Sequence, residues 1–304
     1  MNRLGLFILM CFMCFNLAPL VWGQTGSIEW KPVEDILERR GVNQDASLQV
    51  LFPRTDLNVV VKGTPLEPEG LTSWFVFRPQ GKNTLLVGDM VLLDTEVPKA
   101  TAQALRNGLE ITALYSPLLD ESPGIKRLRV RGKGAKSNLA WAVKLILTST
   151  GTPIDPPVSS LPQGKAVATA NPTKGPQPSL GWSKTEAILG SGEIKGRTIQ
   201  FEFSSMEATP GPEVDMDLAA TLFLQKTTGG HVAGMGTFIM GDEEASNVME
   251  TLTQHHITVT SFRNQGSKEE PKLFFLNFWV AGNEKEVAEG LKEALDQAGL
   301  SEKE

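Results

Sequence analysis

The sequence predicts an α+β protein built from two repeated domains, each a mainly antiparallel sheet packed with two or three helices. Three observations carry that expectation. First, Trp30-x-x-x-Glu34-x-Ile36-Leu37 recurs as Trp182-x-x-x-Glu186-x-Ile188-Leu189, an offset of 152. Later segments match in the same order: Leu85-Leu86-Val87-Gly88-Asp89 with His231 to Met235 at offset 146, then Leu109 to Ala113 with Ile257 to Ser261 and Leu139 to Leu147 with Val287 to Leu295, both at 148. A fixed order with small drifts indicates two copies of one unit separated by loop insertions. Second, the segment 150–179 is rich in Pro, Ser and Thr without a sustained apolar period, the composition of an extended linker. Third, within each copy, short period-two runs outnumber the helical patterns and are joined by hairpin-length turns, which favours an antiparallel sheet with helices on one side.

The elements follow in order. Residues 1–23 read as a secretory signal peptide, with Arg3 as a short positive region, an apolar run from Leu4 to Leu20, and Val21-Trp22-Gly23 as the cleavage site. The expected location is therefore secreted or periplasmic. The first domain spans 28–149, beginning with a helix over Val33 to Arg40. Strands are expected at Leu48 to Phe52, Asp56 to Lys62, Thr72 to Phe77 and Leu85 to Leu93. A helix from about Pro98 to Arg106 stops at Asn107-Gly108. Strands Glu110 to Tyr115 and Ile125 to Arg131 precede a helix capped by Ser137 and running to Leu147. The second domain, 180–300, opens with a capping box, Ser183-x-x-Glu186. Met235-Gly236 reads as a turn, and His255-His256 as the end of a surface helix.

Of the 304 residues, 40% are hydrophobic, ordinary for a globular chain, and no apolar run after the leader approaches membrane-spanning length. Both cysteines, Cys11 and Cys14, lie in the leader, which leaves no disulfide framework and no cysteine metal site in the remainder. Charge divides unevenly: residues 24–150 carry 16 Lys+Arg against 14 Asp+Glu, and residues 151–304 carry 12 against 21. The two halves either attract each other, divide their partners by sign, or use the acidic half for solubility. The overall net charge of −6 argues against nucleic acid as a partner.

Phe52-Pro53-Arg54-x-Asp56-Leu57-x-Val59-x-Val61-x-Gly63, Gly88-Asp89-x-Val91-Leu92, Glu96-Val97 and Glu110 to Leu114 resemble the LppY/LpqO family of exported bacterial proteins. Pro271-x-Leu273-Phe274-Phe275-Leu276-x-Phe278-Trp279 is similar to that family's C-terminal end. The resemblance covers nearly the whole chain after the leader and implies a domain of poorly defined function. Members carry His-Asn-His after the Thr-Ala-Leu strand and a further His on the next strand. Here those places hold Tyr115-Ser116-Pro117 and Arg129 in the first copy, and Arg263-Asn264-Gln265 and Asn277 in the second. Without imidazoles a family-type metal site is not expected, and no cofactor is called for. Glu96 and Glu121 keep the acidic positions that the resemblance implies.

What stands in place of the histidines is a basic strand. In Lys126-Arg127-Leu128-Arg129-Val130-Arg131 a side-chain period of two puts Arg127, Arg129 and Arg131 on one face and Leu128 and Val130 on the other. A row of guanidinium groups suits a carboxylate, sulfate or phosphate. It equally suits a solvated face or pairing with the acidic half. Arg54 and Asp56 are expected to form a structural ion pair. Trp30 and Trp182 are expected to anchor the first helix of each copy.

Three functional readings remain. In the favoured one, an exported non-catalytic tandem-domain protein binds an anionic small molecule or glycan, or an envelope protein, through Arg127, Arg129 and Arg131 with Tyr115 alongside and Glu96 and Glu121 nearby. A metal-free hydrolase or lyase using Glu96 or Glu121 with Tyr115 and Arg129 is the second reading. A purely structural or interaction protein is the third.

Overall fold

The computed structural model describes residues 29–44, 46–154, 181–204, 218–264 and 273–300. The expected leader and most of the expected linker lie outside them. The first domain comprises α1 (Lys31–Leu37), β1 (Val42–Gln44), β2 (Ser47–Pro53), β3 (Val60–Val61), β4 (Thr64–Pro65), β5 (Thr72–Gln80), β6 (Asn83–Leu93), α2 (Val97–Arg106), β7 (Glu110–Tyr115), β8 (Glu121–Ser122), β9 (Ile125–Gly134) and α3 (Lys136–Thr148). The second comprises α4 (Ser183–Leu189), β10 (Glu193–Lys195), β11 (Thr198–Ser204), β12 (Leu218–Lys226), β13 (His231–Met240), α5 (Asp242–Gln254), β14 (Thr258–Asn264), β15 (Phe274–Asn283) and α6 (Glu284–Gln297).

Each domain holds one six-stranded sheet of the same topology, β1-β2-β5-β6-β9-β7 and β10-β11-β12-β13-β15-β14, with antiparallel ladders throughout. In the first, α2 carries the chain from β6 over to the edge strand β7, and β9 returns between them, a split β-α-β arrangement. The α+β class with two repeated domains therefore holds. Strand alternation decides what each sheet buries. In the first domain Leu48, Val50, Phe52, Phe75, Phe77, Leu86, Met90, Leu128 and Val130 pack under the three helices with Trp30. In the second, Phe201, Leu222, Leu224, Phe238, Leu276 and Phe278 do so with Trp182. Both tryptophans immediately precede the first helix of their domain and are buried, as the repeat predicts.

The two sheets turn their remaining faces toward each other. Ala233 and Trp279 of the second domain share a small apolar core with Val59, Val61, Leu66, Leu71, Val91, Leu118 and Ile125 of the first. Gln225, nearly fully buried, bridges the domains: its Nε2 donates to the Pro65 carbonyl at 2.7 Å and its Oε1 accepts from the Glu67 N–H at 3.0 Å. Thr260 Oγ1 donates to the Pro117 carbonyl at 2.7 Å. The order is thus helices, sheet, sheet, helices.

Several local expectations change. The strand expected over Asp56 to Lys62 shrinks to β3, which leaves the main sheet and pairs with β4 and β8 in a three-stranded sheet. Residues 54–57 are drawn instead into a turn, with Leu57 N–H donating to the Arg54 carbonyl at 3.1 Å. Neither serine caps its helix. Ser137 and Ser183 lie inside α3 and α4, and the residues before the helices, Ala135 and Trp182, make no side-chain cap bond. Burying Trp182 fixes the entry of α4 in place of a capping hydroxyl. Met235-Gly236 is not a turn but lies in mid-β13. The repeat register moves too: Asp89 pairs with Arg129 as Thr237 pairs with Asn277, an offset of 148 in place of 146. A slip of two leaves every side chain on its own face, so periodicity alone does not detect it.

Candidate functional site

The face of β9 that carries the arginines is the face turned to the second domain. Ladder pairing sets Trp74, Asp89, Arg129 and Ala113 in one row across β5, β6, β9 and β7, and Val91, Arg127 and Tyr115 in the next. Asp89 is 2% exposed, and its carboxylate collects this first-domain cluster. Arg127 Nη1 lies 3.0 Å from its Oδ1 and also donates to the Thr72 carbonyl at 3.1 Å. Arg129 Nε lies 3.4 Å from its Oδ2, and the Tyr115 hydroxyl donates to the same oxygen at 3.4 Å. Burial and the Asp89 charge push the Tyr115 phenol upward, so it stays a protonated donor through neutral pH. Arg131, one row further along, sits opposite Glu110.

The second domain completes the cluster. Arg263 occupies the place in β14 that Tyr115 occupies in β7, since Arg263 pairs with Phe275 as Tyr115 pairs with Arg127. These equivalent residues meet: the Arg263 guanidinium stacks on the Tyr115 ring at 4.0 Å. Phe275 accepts Arg263 at 4.6 Å and Arg129 at 4.9 Å, and Trp74 lies 5.8 Å from Arg129. The second domain's own row is neutral. Ser261 Oγ donates to Asn277 Oδ1 at 2.9 Å, and Asn277 Nδ2 donates to Thr237 Oγ1 at 2.8 Å.

Of the six expected site residues, three converge: Arg127, Arg129 and Tyr115. Asp89, Arg263 and Phe275 join them without having been expected. Asp89 had a sequence signal, as the only charge within the apolar run Leu85 to Leu93. Glu96 stands elsewhere, accepting from Arg54 Nη1 at 2.8 Å, Arg54 Nη2 at 3.1 Å and the N–H groups of Leu93 and Gly151. Arg54 is fully buried, donates to both Asp56 oxygens at 2.8 Å and reaches the Val91 carbonyl at 2.7 Å. The expected Arg54–Asp56 pair is therefore present, with Glu96 as its third member. Glu121 accepts from the Ile125 N–H at 3.3 Å on β8. Among the described residues no group of three His, Cys, Asp or Glu side chains is placed to hold a metal ion. Trp279 is buried and Trp74 half-buried against Arg129, which leaves neither as an exposed carbohydrate platform.

Burial alone would raise the Glu96 carboxyl, but the bonds from Arg54, Gly151 and Leu93 outweigh it and hold the group below the ordinary carboxylate range. A lowered folded-state value adds stability above the unfolded value of about 4.3, and that stability is lost as pH falls through the folded value. The urea midpoint is expected to drop more between pH 6 and pH 3 in the wild type than in Glu96→Gln. Equal drops would remove Glu96 as a source of acid sensitivity.

Beside the cluster, an open groove of about 470 Å³ is lined by Asp94, Val97, Leu114, Tyr115, Ser116 and Lys126. Tyr115 belongs to both features: its ring lines the groove and carries Arg263. A family model matches residues 31–149 and 185–297, one domain each. The chain belongs to the family described as Domain of Unknown Function (DUF1259). Each sheet-and-helix unit above is one DUF1259 domain, and the Tyr115 and Arg263 positions are where the two DUF1259 domains meet. No curated protein matches the chain. Among solved structures, the crystal structure of EtuB from Clostridium kluyveri matches over 86% of this chain and 90% of that one at 10% identity, with a TM-score of 0.21, too low to support an argument.

Proposed function

We propose that this tandem DUF1259 protein is an exported, non-catalytic binding protein whose ligand is anionic, a relative of the LppY/LpqO proteins in which the histidine site has given way to an arginine–tyrosine cluster. One observation carries the reading. Among the described residues, the buried Arg263 Nε and Nη2 find no hydrogen-bond partner, while the guanidinium is held between Tyr115 and Phe275. A desolvated guanidinium stacked on ring faces with two donors unused can accept a carboxylate, sulfate or phosphate, whose oxygens match its donor spacing. Arg127 and Arg129 gather on the buried carboxylate of Asp89, and Arg129 and Arg263 share the Phe275 ring, which makes the pocket rich in guanidinium groups. The groove beside Tyr115, lined by Leu114, Val97 and the Lys126–Asp94 ion pair, offers room for the body of such a ligand.

The catalytic reading has less support. Glu96 is committed to Arg54 and held ionised, away from Tyr115 and Arg129, and Glu121 lies on β8 outside their cluster, bonded to the Ile125 N–H.

Calorimetric titration of the protein with phosphate, sulfated sugars and dicarboxylates at two salt concentrations tests the proposal. A salt-sensitive ligand is expected, and Arg263→Gln should weaken it about 10- to 100-fold, the loss of one or two charge-assisted bonds. Binding unchanged in Arg263→Gln, or silence across the panel, would overturn the assignment. Sequencing the N-terminus of the protein recovered from outside the cytoplasm tests the export step, with Gln24 expected as the first residue.

A further inference from the structure

Because the sheets face each other, the outer faces of the molecule are its two helix layers, and these carry opposite charge. Helices α2 and α3 contain Lys99, Arg106, Lys136 and Lys144 and no carboxylate, while α1 beside α3 adds Lys31 against Glu34 and Asp35, and Glu38 pairs with Lys144, so the layer stays basic and the exposed cations of α2 and α3 lie on α2. Helices α5 and α6 contain nine carboxylates, among them Asp242, Glu250, Glu289 and Asp296, against Lys285 and Lys292. Among the described residues, the helices of the two domains thus display their opposite charges on opposite sides of the molecule.

The basic layer also carries unpartnered apolar side chains. Trp141 is 53% exposed and Leu145 40%, one helical turn apart on α3, and Leu105 on the neighbouring α2 is 61% exposed. On α3 the exposed positions are Asn138, Trp141, Leu145 and Thr148, a single stripe whose middle is apolar. The acidic layer has no counterpart: among the described residues, α5 and α6 contain no exposed large hydrophobic side chain.

We propose that the α2–α3 face is a peripheral docking surface for a membrane of anionic lipid. The exposed Lys99 and Arg106 complement lipid phosphates, Trp141 takes the headgroup level that indole rings favour, and Leu145 and Leu105 enter the acyl boundary. The acidic α5–α6 face is repelled by the same surface, so the molecule docks in one orientation. A second copy is the poorer occupant. Its acidic helices satisfy the cations but bring nothing apolar to Trp141.

Vesicle flotation of the chain from Gln24 onward, with both domains present, tests this independently of the Arg263 site. Vesicles with one third phosphatidylglycerol are expected to retain the protein in low salt, and pure phosphatidylcholine vesicles are not. Trp141→Ala should weaken retention about tenfold, and Lys99→Gln with Arg106→Gln about fivefold per cation removed. All three positions lie at the surface, so folding is kept, and Arg263→Gln should float like wild type. Absence of retention on anionic vesicles, or retention unchanged in these variants, would overturn the proposal. So would concentration-dependent self-association abolished by Trp141→Ala, which would assign the face to a second copy.

Discussion

Replacing Arg54 by Met is expected to destabilise the protein by about 3–5 kcal/mol, the cost of leaving a buried ion network without its cation. Arg54 has no exposed surface, and its guanidinium serves five acceptors on three residues: both Asp56 oxygens, both Glu96 oxygens and the Val91 carbonyl share its donors. Methionine fills much of the volume but supplies none of these bonds. Asp56, 30% exposed, recovers water; Glu96, 12% exposed, and the Val91 carbonyl recover little. The loss should therefore fall mainly on Glu96. Adding Glu96→Gln to Arg54→Met should restore part of the stability, because the orphaned charge goes with it. A urea midpoint for Arg54→Met within about 1 kcal/mol of wild type, the range of an exposed ion pair, would show that the network contributes little.

Asp89→Asn is expected to cost about 3 kcal/mol or more, although the side chain keeps its shape. The substitution removes a buried carboxylate that serves Arg127, Arg129 and Tyr115, while Arg263 stacks on Tyr115 across the seam. Cations gathered in a poorly solvated interface then repel one another. The variant also separates stability from binding. If the cluster accepts anions, sulfate or phosphate should raise the melting temperature of Asp89→Asn more than that of wild type, since the added anion replaces the missing charge. Equal responses would count against the anion site, and a stability equal to wild type would mean that water or other groups already screen the arginines.

Much of the domain fold was legible because it depends on local periodicity. The alternation in Lys126 to Arg131 assigned Leu128 and Val130 to the core and the arginines to the other face, and both assignments hold. The strand Glu110 to Tyr115 falls as the pattern has it. Gly108, with φ of 74°, ends α2 where a left-handed residue was expected. Repetition of Trp30 as Trp182 revealed the two domains, since each has to bury the same indole to seat its first helix. The β3 segment failed because its alternation was genuine but its partners were β4 and β8, which propensity does not specify.

The site was half legible. Residue type and spacing marked Arg127, Arg129 and Tyr115, whereas Asp89 was missed although it is the lone charge in an apolar strand. Sequence alone determined which residues share a face. Only the tertiary structure decided what covers that face, because the contacts join residues far apart in the chain: Tyr115 with Arg263, Arg129 with Phe275, Gln225 with Pro65. A period of two records that a strand has two different sides. It holds no information on whether the second side meets water or another sheet, and that difference turns a row of surface arginines into a buried cluster gathered around Asp89.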